Sequence, residues 1–142
     1  MQKGSCLCGG VAFELHGPLR PVLACHCHQC RKTSGHYWAC TSVPKHKLVL
    51  TKQETLSWYT SSPSAQRGFC HRCGASLFWQ WLDSEAISVA AGSLDDDAAC
   101  ELDQHIFSAT KGGYYSIPSN EKVRSPEQDL SLIHISEPTR PY

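Results

Sequence analysis

The chain has 142 residues, 13 basic and 13 acidic side chains, and a formal net charge of zero. That length predicts one domain with a modest core, and that neutrality gives no electrostatic footprint for nucleic acid or an anionic membrane, neither of which is expected as a partner. No apolar run approaches a membrane span, and the start Met1-Gln2-Lys3-Gly4 lacks the apolar stretch of a secretory signal, so the expected location is cytoplasmic.

In chain order, Gly4-Ser5-Cys6-Leu7-Cys8-Gly9-Gly10 reads as a knuckle. Glycines after a metal-binding cysteine let the backbone turn with positive φ and aim amide hydrogens at sulfur. Residues 11–15 alternate apolar and mixed side chains, the two-residue period of a half-buried strand, and His16-Gly17-Pro18 ends it. A short apolar approach, Val22-Leu23-Ala24, leads to Cys25-His26-Cys27-His28-Gln29-Cys30. From Cys27 to Gly35 the pattern is one or two helical turns stopped by glycine. Helical spacing puts Cys27 and Cys30 on one face, within reach of one metal.

Strand-like stretches follow at residues 37–43, 47–51 and 54–59, separated by Pro44-Lys45-His46 and Lys52-Gln53. Ser61-Ser62-Pro63-Ser64 reads as a loop, and Gln66-Arg67-Gly68-Phe69 leads into a second knuckle, Cys70-His71-Arg72-Cys73-Gly74. Residues 76–81, 86–91 and 104–108 are further strand candidates, and no stretch before residue 128 has the pattern of a long amphipathic helix. The predicted fold class is mainly β, stapled by metal, with one short helix beside the middle cysteine cluster. Residues 130–142 match nothing before them and look like a translated sequencing adapter. The domain is therefore expected over residues 1–129, breaking off near Asp129, with residues 130–142 a non-native or disordered tail.

Seven of the nine cysteines stand in the three clusters, and their arithmetic is the strongest chemical signal. Cys6, Cys8, Cys70 and Cys73 supply the complete tetrahedral shell of a structural zinc. Cys25, Cys27 and Cys30 supply three thiolates and no obvious fourth ligand, as in a catalytic site with an open position. An odd cysteine count, no secretory signal and short spacings weigh against disulfides. An all-thiolate tetrahedral set selects zinc, with iron as competitor, so two zinc ions are the expected cofactors. Three thiolates leave such a zinc formally anionic and a poor electrophile, better suited to hold a soft nucleophile than to split water. A thiol entering the open position would lose its proton.

Four pieces of the chain together resemble the glutathione-dependent formaldehyde-activating enzyme family, which includes centromere protein V. They are Gly4-Ser5-Cys6-Leu7-Cys8-Gly9, then Cys25-His26-Cys27-His28-Gln29-Cys30-Arg31-Lys32 with Gly35, then Phe69-Cys70-His71-Arg72-Cys73-Gly74, and last His105-Ile106-Phe107 with Lys111. Their order and separations match from residue 4 to about residue 118. The resemblance implies a β-tent fold of small coiled sheets, a structural zinc at Cys6, Cys8, Cys70 and Cys73, and a catalytic zinc at Cys25, Cys27 and Cys30. It also implies a carbon–sulfur lyase joining or separating glutathione and formaldehyde, with a small thiol and an aldehyde as partners. A non-catalytic zinc module that binds protein or nucleic acid is the alternative that the centromeric relative suggests.

Other candidates have plainer readings beside the functional one. His26 and His28 flank the zinc cysteines as a possible fourth ligand or proton shuttle, or as neighbours that point away from the metal. Arg31 and Lys32 could meet an anionic substrate carboxylate, although a helix C-terminus also attracts cations. His105 and Lys111 belong to the resemblance, yet a histidine before Ile-Phe in a strand can simply pack. His71 reads as a knuckle residue, Cys40 and Cys100 as small buried hydrophobes, and Trp58, Trp79 and Trp81 as core or pocket wall.

Overall fold

Side chains that alternate between an apolar and a wet face build most of this molecule. The structure, a computed structural model, describes residues 1–130. In chain order the elements are β1 (Gln2–Ser5), β2 (Val11–Leu15), β3 (Val22–Cys25), α1 (His28–Ser34), β4 (Trp38–Pro44), β5 (Leu48–Gln53) and β6 (Leu56–Ser62). They continue with β7 (Ala65–Cys70), β8 (Ser76–Trp81), β9 (Ala86–Ala90), β10 (Leu102–Ile106), β11 (Lys122–Val123) and α2 (Pro126–Leu130). The mainly β class read from the sequence is what the structure shows. The segment read as a tail lies outside the described residues, apart from Leu130 at the end of α2. Among the described residues no helix is long and apolar enough to cross a membrane.

The described residues form two compact units, one of Met1–Pro21 with Cys40–Glu101, the other of Val22–Ala39 with the described residues from 102 onward. In the first unit β1, β2 and β5 make an antiparallel sheet with Gly4 opposite Phe13 and Leu15 opposite Leu48. A second antiparallel array runs β4-β9-β8-β7-β6, with Val43 opposite Ile87, Phe78 opposite Val89 and Gly68 opposite both Phe78 and Trp58. The inward residues of β2, namely Val11, Phe13 and Leu15, form the core with Val43, Leu77, Phe78, Ile87, Val89 and Leu94. Phe13 meets Phe78 edge-on, with ring centroids 5.2 Å apart, the geometry that aromatic quadrupoles favour. Gly68 is required by its neighbours: a Cβ there would stand 2.9 Å from both the Phe78 and Trp58 rings.

The second unit uses parallel pairing. β10 runs beside β3 with Leu102 opposite Val22 and Ile106 opposite Cys25, and β11 runs parallel to β10 on its other side. All four residues of β3 are buried, so it reads as a continuous apolar run, as strands of parallel sheets do. It delivers Cys25 to the start of α1. That helix ends at Gly35, φ 87, in the left-handed region, whose amide donates to the Arg31 carbonyl.

Several elements depart from the expected bounds. β7 occupies the segment read as a lead-in, because Arg67 and Gly68 hide its period, yet it is paired on both sides and Arg67 is buried. β1 is polar and short and exists through its partner β2. β10 starts two residues earlier than expected and stops before Phe107, whose φ of 56 turns the chain out of the sheet. β11 and α2 are too short to show a period.

The core of the first unit rests on Phe13, 1% exposed. Phe13→Ala should lower unfolding free energy by about 3–5 kcal/mol, the range for an aromatic deleted from a packed core. Urea unfolding at fixed zinc content measures this, and a loss below about 1 kcal/mol would contradict the packing described.

Candidate functional site

The two knuckles of the first unit are built alike. The Cys6 amide donates to the Val11 carbonyl at 3.0 Å, and the Gly9 amide donates to the Cys6 carbonyl at 3.3 Å. At the other knuckle the Cys70 amide donates to the Ala75 carbonyl at 3.0 Å, and the Gly74 amide to the Cys70 carbonyl at 2.8 Å. Gly9 and Gly74 have φ of 80 and 81, where glycine alone avoids a Cβ penalty. The turns leave amides free to face sulfur: Val11 donates to Cys6 Sγ and Cys73 to Cys70 Sγ, each at 3.3 Å.

The Sγ atoms of Cys6, Cys8, Cys70 and Cys73 all lie within 4.8 Å of one another. Further donors face them. The Arg72 guanidinium donates to Cys8 Sγ at 3.3 Å, and Thr55 Oγ1 is 3.1 Å from Cys70 Sγ. Burial raises the Cys70 thiol, but the Thr55 hydroxyl and the Cys73 and Arg72 amides outweigh it and bring it down to about 5. The Gly10 amide and Arg72 lower Cys8, whereas burial raises Cys6. Four sulfurs this close, turned towards amide and guanidinium donors, suit a cation among them. The donor set fits a tetrahedral zinc.

The second cluster lies wholly in the second unit. Cys25 ends β3, Cys27 caps α1 and Cys30 sits on its first turn, and all three are buried. Cys27 Sγ accepts the Cys30 amide at 3.2 Å, taking the place of an N-cap oxygen. The three Sγ atoms lie within 4.8 Å of one another. The neighbouring Cys27 and Cys30 thiols, followed by burial, hold the Cys25 thiol well above its ordinary value. Three buried thiols that raise one another are poor company without a cation and a good soft shell with one. They too fit zinc, and among the described residues the group has three members.

His26 is not among them. Its side chain is buried and both ring nitrogens are engaged, Nδ1 with the Tyr115 hydroxyl and Nε2 with His105 Nδ1 at 2.8 Å. His105 in turn contacts Glu121 Oε1 through Nε2 at 2.6 Å. Burial, then the charge of His105, pushes His26 down to about 4, so at neutral pH it is uncharged. The His26 backbone is fixed as well, its amide donating to the Ile106 carbonyl and its carbonyl accepting from the Thr110 hydroxyl. Aromatic rings surround this chain: Tyr37 lies 5.0 Å from the His26 ring, Tyr115 stacks on it at 5.5 Å, and His36 bonds the Tyr114 hydroxyl at 2.7 Å. Lys111 Nζ donates to the Tyr115 carbonyl at 2.6 Å and lies 5.0 Å from that ring's centre.

Of the other candidates, Arg31 reaches back to His28 Nδ1 at 3.3 Å, and its charge also acts on Tyr115. Lys32 is exposed on the last turn of α1. His71 is exposed and its amide donates to the Thr55 carbonyl, a knuckle role. Cys40 and Cys100 lie outside both clusters, Cys40 buried beside Arg20. Trp58 stacks on Phe78, and Trp79 lies 6.1 Å from Trp81. Sequence reasoning missed Tyr37, Tyr115 and Glu121. The one signal for Tyr115 is the Lys111-Gly112-Gly113-Tyr114-Tyr115 run, where two glycines precede two tyrosines.

A mainly β chain with two thiol groups of this kind is a candidate two-metal enzyme. The family described as glutathione-dependent formaldehyde-activating enzyme matches residues 1–110, and the chain belongs to that family. It is 27% identical over 86 residues to a protein of Schizosaccharomyces pombe named as an uncharacterized lyase, a match over 58% of this chain and 60% of that protein. The chain therefore matches about three fifths of that relative's length. A crystal structure of a Rhodobacter sphaeroides protein shares the fold, with a TM-score of 0.55, 24% identity, and coverage of 66% of this chain and 88% of the other.

The closed and open thiol groups should hold metal in two grades. Cys73→Ala should cost the tightly held ion and much of the fold, because a four-thiolate shell couples binding to folding. Cys27→Ala should lose the more exchangeable ion and remain folded. Elemental analysis with circular dichroism decides it, and the reverse pattern would contradict the partition.

Proposed function

We propose that this chain is a zinc-dependent carbon–sulfur lyase acting on thiol–aldehyde adducts of the glutathione–formaldehyde type. The observation that carries the reading is the group of three buried thiols at Cys25, Cys27 and Cys30, together with membership of the family. Cys25, Cys27 and Cys30 would hold the second zinc, and Cys6, Cys8, Cys70 and Cys73 the structural one. Bound there, zinc would supply an open soft position that favours sulfur in its deprotonated form.

The chain's own residues do the rest. Burial of the three cysteines limits the water that competes at this position. Arg31 and Lys32, side by side on the last turn of α1, would draw an anionic thiol such as one bearing a carboxylate. Holding thiol and aldehyde together lowers the entropic cost of their meeting.

Zinc-loaded protein should accelerate formation or breakdown of the hemithioacetal from glutathione and small aldehydes over the spontaneous rate, and a thiol ligand should bind far better than its alcohol analogue. Replacing Arg31 and Lys32 by Ala should raise KM more than it lowers kcat. Loaded protein that binds no thiol and leaves these rates unchanged would contradict the lyase reading and favour a zinc-binding module.

A further inference from the structure

The two knuckles of the first unit belong to different sheets, and one short turn joins those sheets. β5 ends at Gln53, whose ladder partner is Val11, just after the first knuckle. β6 begins at Leu56, whose ladder partner is Cys70, the first sulfur of the second knuckle. Only Glu54 and Thr55 lie between. Thr55 is buried and lies against both knuckles. Its carbonyl accepts the His71 amide at 2.8 Å, and its hydroxyl is 3.1 Å from Cys70 Sγ. On its other side stands Gly10, whose amide bonds Cys8. A Cβ on Gly10 would meet Thr55 Oγ1 and stand 2.8 Å from Thr55 Cγ2. Gly10 is not among the glycines of positive φ, so the room it leaves for Thr55, and not its backbone, requires glycine. A second bridge crosses the other way: Arg72 of the second knuckle donates from Nε to Cys8 Sγ of the first at 3.3 Å.

Taking zinc as the ion of the first thiol group, we propose that Thr55 and Arg72 are positioning residues that set how tightly this ion is held. The inference rests on the zinc reading of that group and not on its lyase chemistry. Four thiolates around one divalent ion leave an excess of negative charge that the surroundings must offset. Cys70 is buried and Cys8 is exposed, so the two bridges serve opposite sides of the group. A metal-bound thiolate only accepts, so the hydrogen between Thr55 and Cys70 comes from the hydroxyl, where water is excluded. At Cys8 the guanidinium brings a positive charge as well as a donor. Each bridge also ties one knuckle to the other, holding Cys8 Sγ and Cys70 Sγ 3.6 Å apart although the chain separates them by 62 residues. Groups that orient metal ligands in this way change metal affinity by roughly 10–100-fold when removed.

Equilibrium competition for zinc against a chelator, on the full chain, measures the effect, and cobalt absorption tells the two thiol groups apart. Thr55→Val keeps the shape beside Gly10 and removes the hydroxyl. Arg72→Met keeps the length and removes both charge and donor. Each should weaken zinc at the four-thiol group by roughly tenfold or more, shift the sulfur-to-cobalt bands of that group alone, and leave the circular dichroism of the loaded chain unchanged. Thr55→Ser and Arg72→Lys should recover most of the affinity. Gly10→Ala should weaken the ion as Thr55→Val does, and should cost far less when Thr55→Ala has removed the colliding atoms. Arg72 is exposed, so its variants decide the matter even if Thr55→Val fails to fold. Affinity unchanged in either variant would overturn the role of that residue. An unaltered chain that holds no zinc at the four-thiol group would sink the zinc reading and this proposal together. Tight zinc in the unaltered chain and in both variants would sink the proposal alone.

Discussion

Sulfur atoms crowded within a few ångströms of one another repel as soon as they ionise, and the fold is arranged around that repulsion. In the first unit the answer is symmetrical: two glycine-turned knuckles, each aiming a backbone amide at a cysteine Sγ, with Arg72 added at Cys8. These donors lower the cost of charge on sulfur without supplying a full counter-charge, so the cluster still calls for a cation. One knuckle follows β1 and the other follows β7, so a metal shared by them would cross-link segments more than sixty residues apart. The apolar core around Phe13 and Phe78 lies in the same unit, and Cys6 and Cys70 are members of it. A metal held there would couple its binding to core formation.

The second cluster meets the same repulsion. The Cys30 amide faces Cys27 Sγ, and the Cys25 thiol is held up by its neighbours. His26, between two of its cysteines in sequence, belongs to a run of hydroxyl, imidazole and carboxylate in hydrogen-bond contact. Buried polar groups persist when every member is satisfied, and both rings of the pair are bonded at both nitrogens. A group of four thiols faced by amide and guanidinium donors and a group of three interrupted in sequence by a hydrogen-bonded histidine are different arrangements of the same ligand type. The family match over residues 1–110 covers all seven clustered cysteines and both histidines of that run, whereas Tyr115 and Glu121 fall beyond it.

Cysteine spacing makes both thiol groups legible in the amino-acid sequence, because ligands two or three residues apart must converge if the turn between them is tight. The helix at Cys27 to Gly35 and strands such as β2 and β8 are legible for the ordinary reasons of period and capping. β7 is not, since Arg67 and Gly68 carry no strand preference and owe their places to Trp58 and Phe78 across the ladder. His26 shows itself in the sequence only as a neighbour of ligands. Its partner Tyr115 is 89 residues away, and the pairing of β10 with β3, which brings the two histidines together, leaves no trace in local sequence. Glu121 depends in turn on where β11 begins, a strand of two residues.

On the lyase reading, Cys25, Cys27 and Cys30 would hold a metal with a position open to sulfur. Cobalt substituted for zinc makes that position visible, since its visible absorption follows coordination number and ligand. Titrating the cobalt-loaded chain with reduced glutathione should change the bands of one ion only, saturably, and the change should vanish in Cys27→Ala while the bands of the first site remain. A spectrum indifferent to glutathione and to other small thiols, in protein carrying cobalt at both groups, would contradict the account.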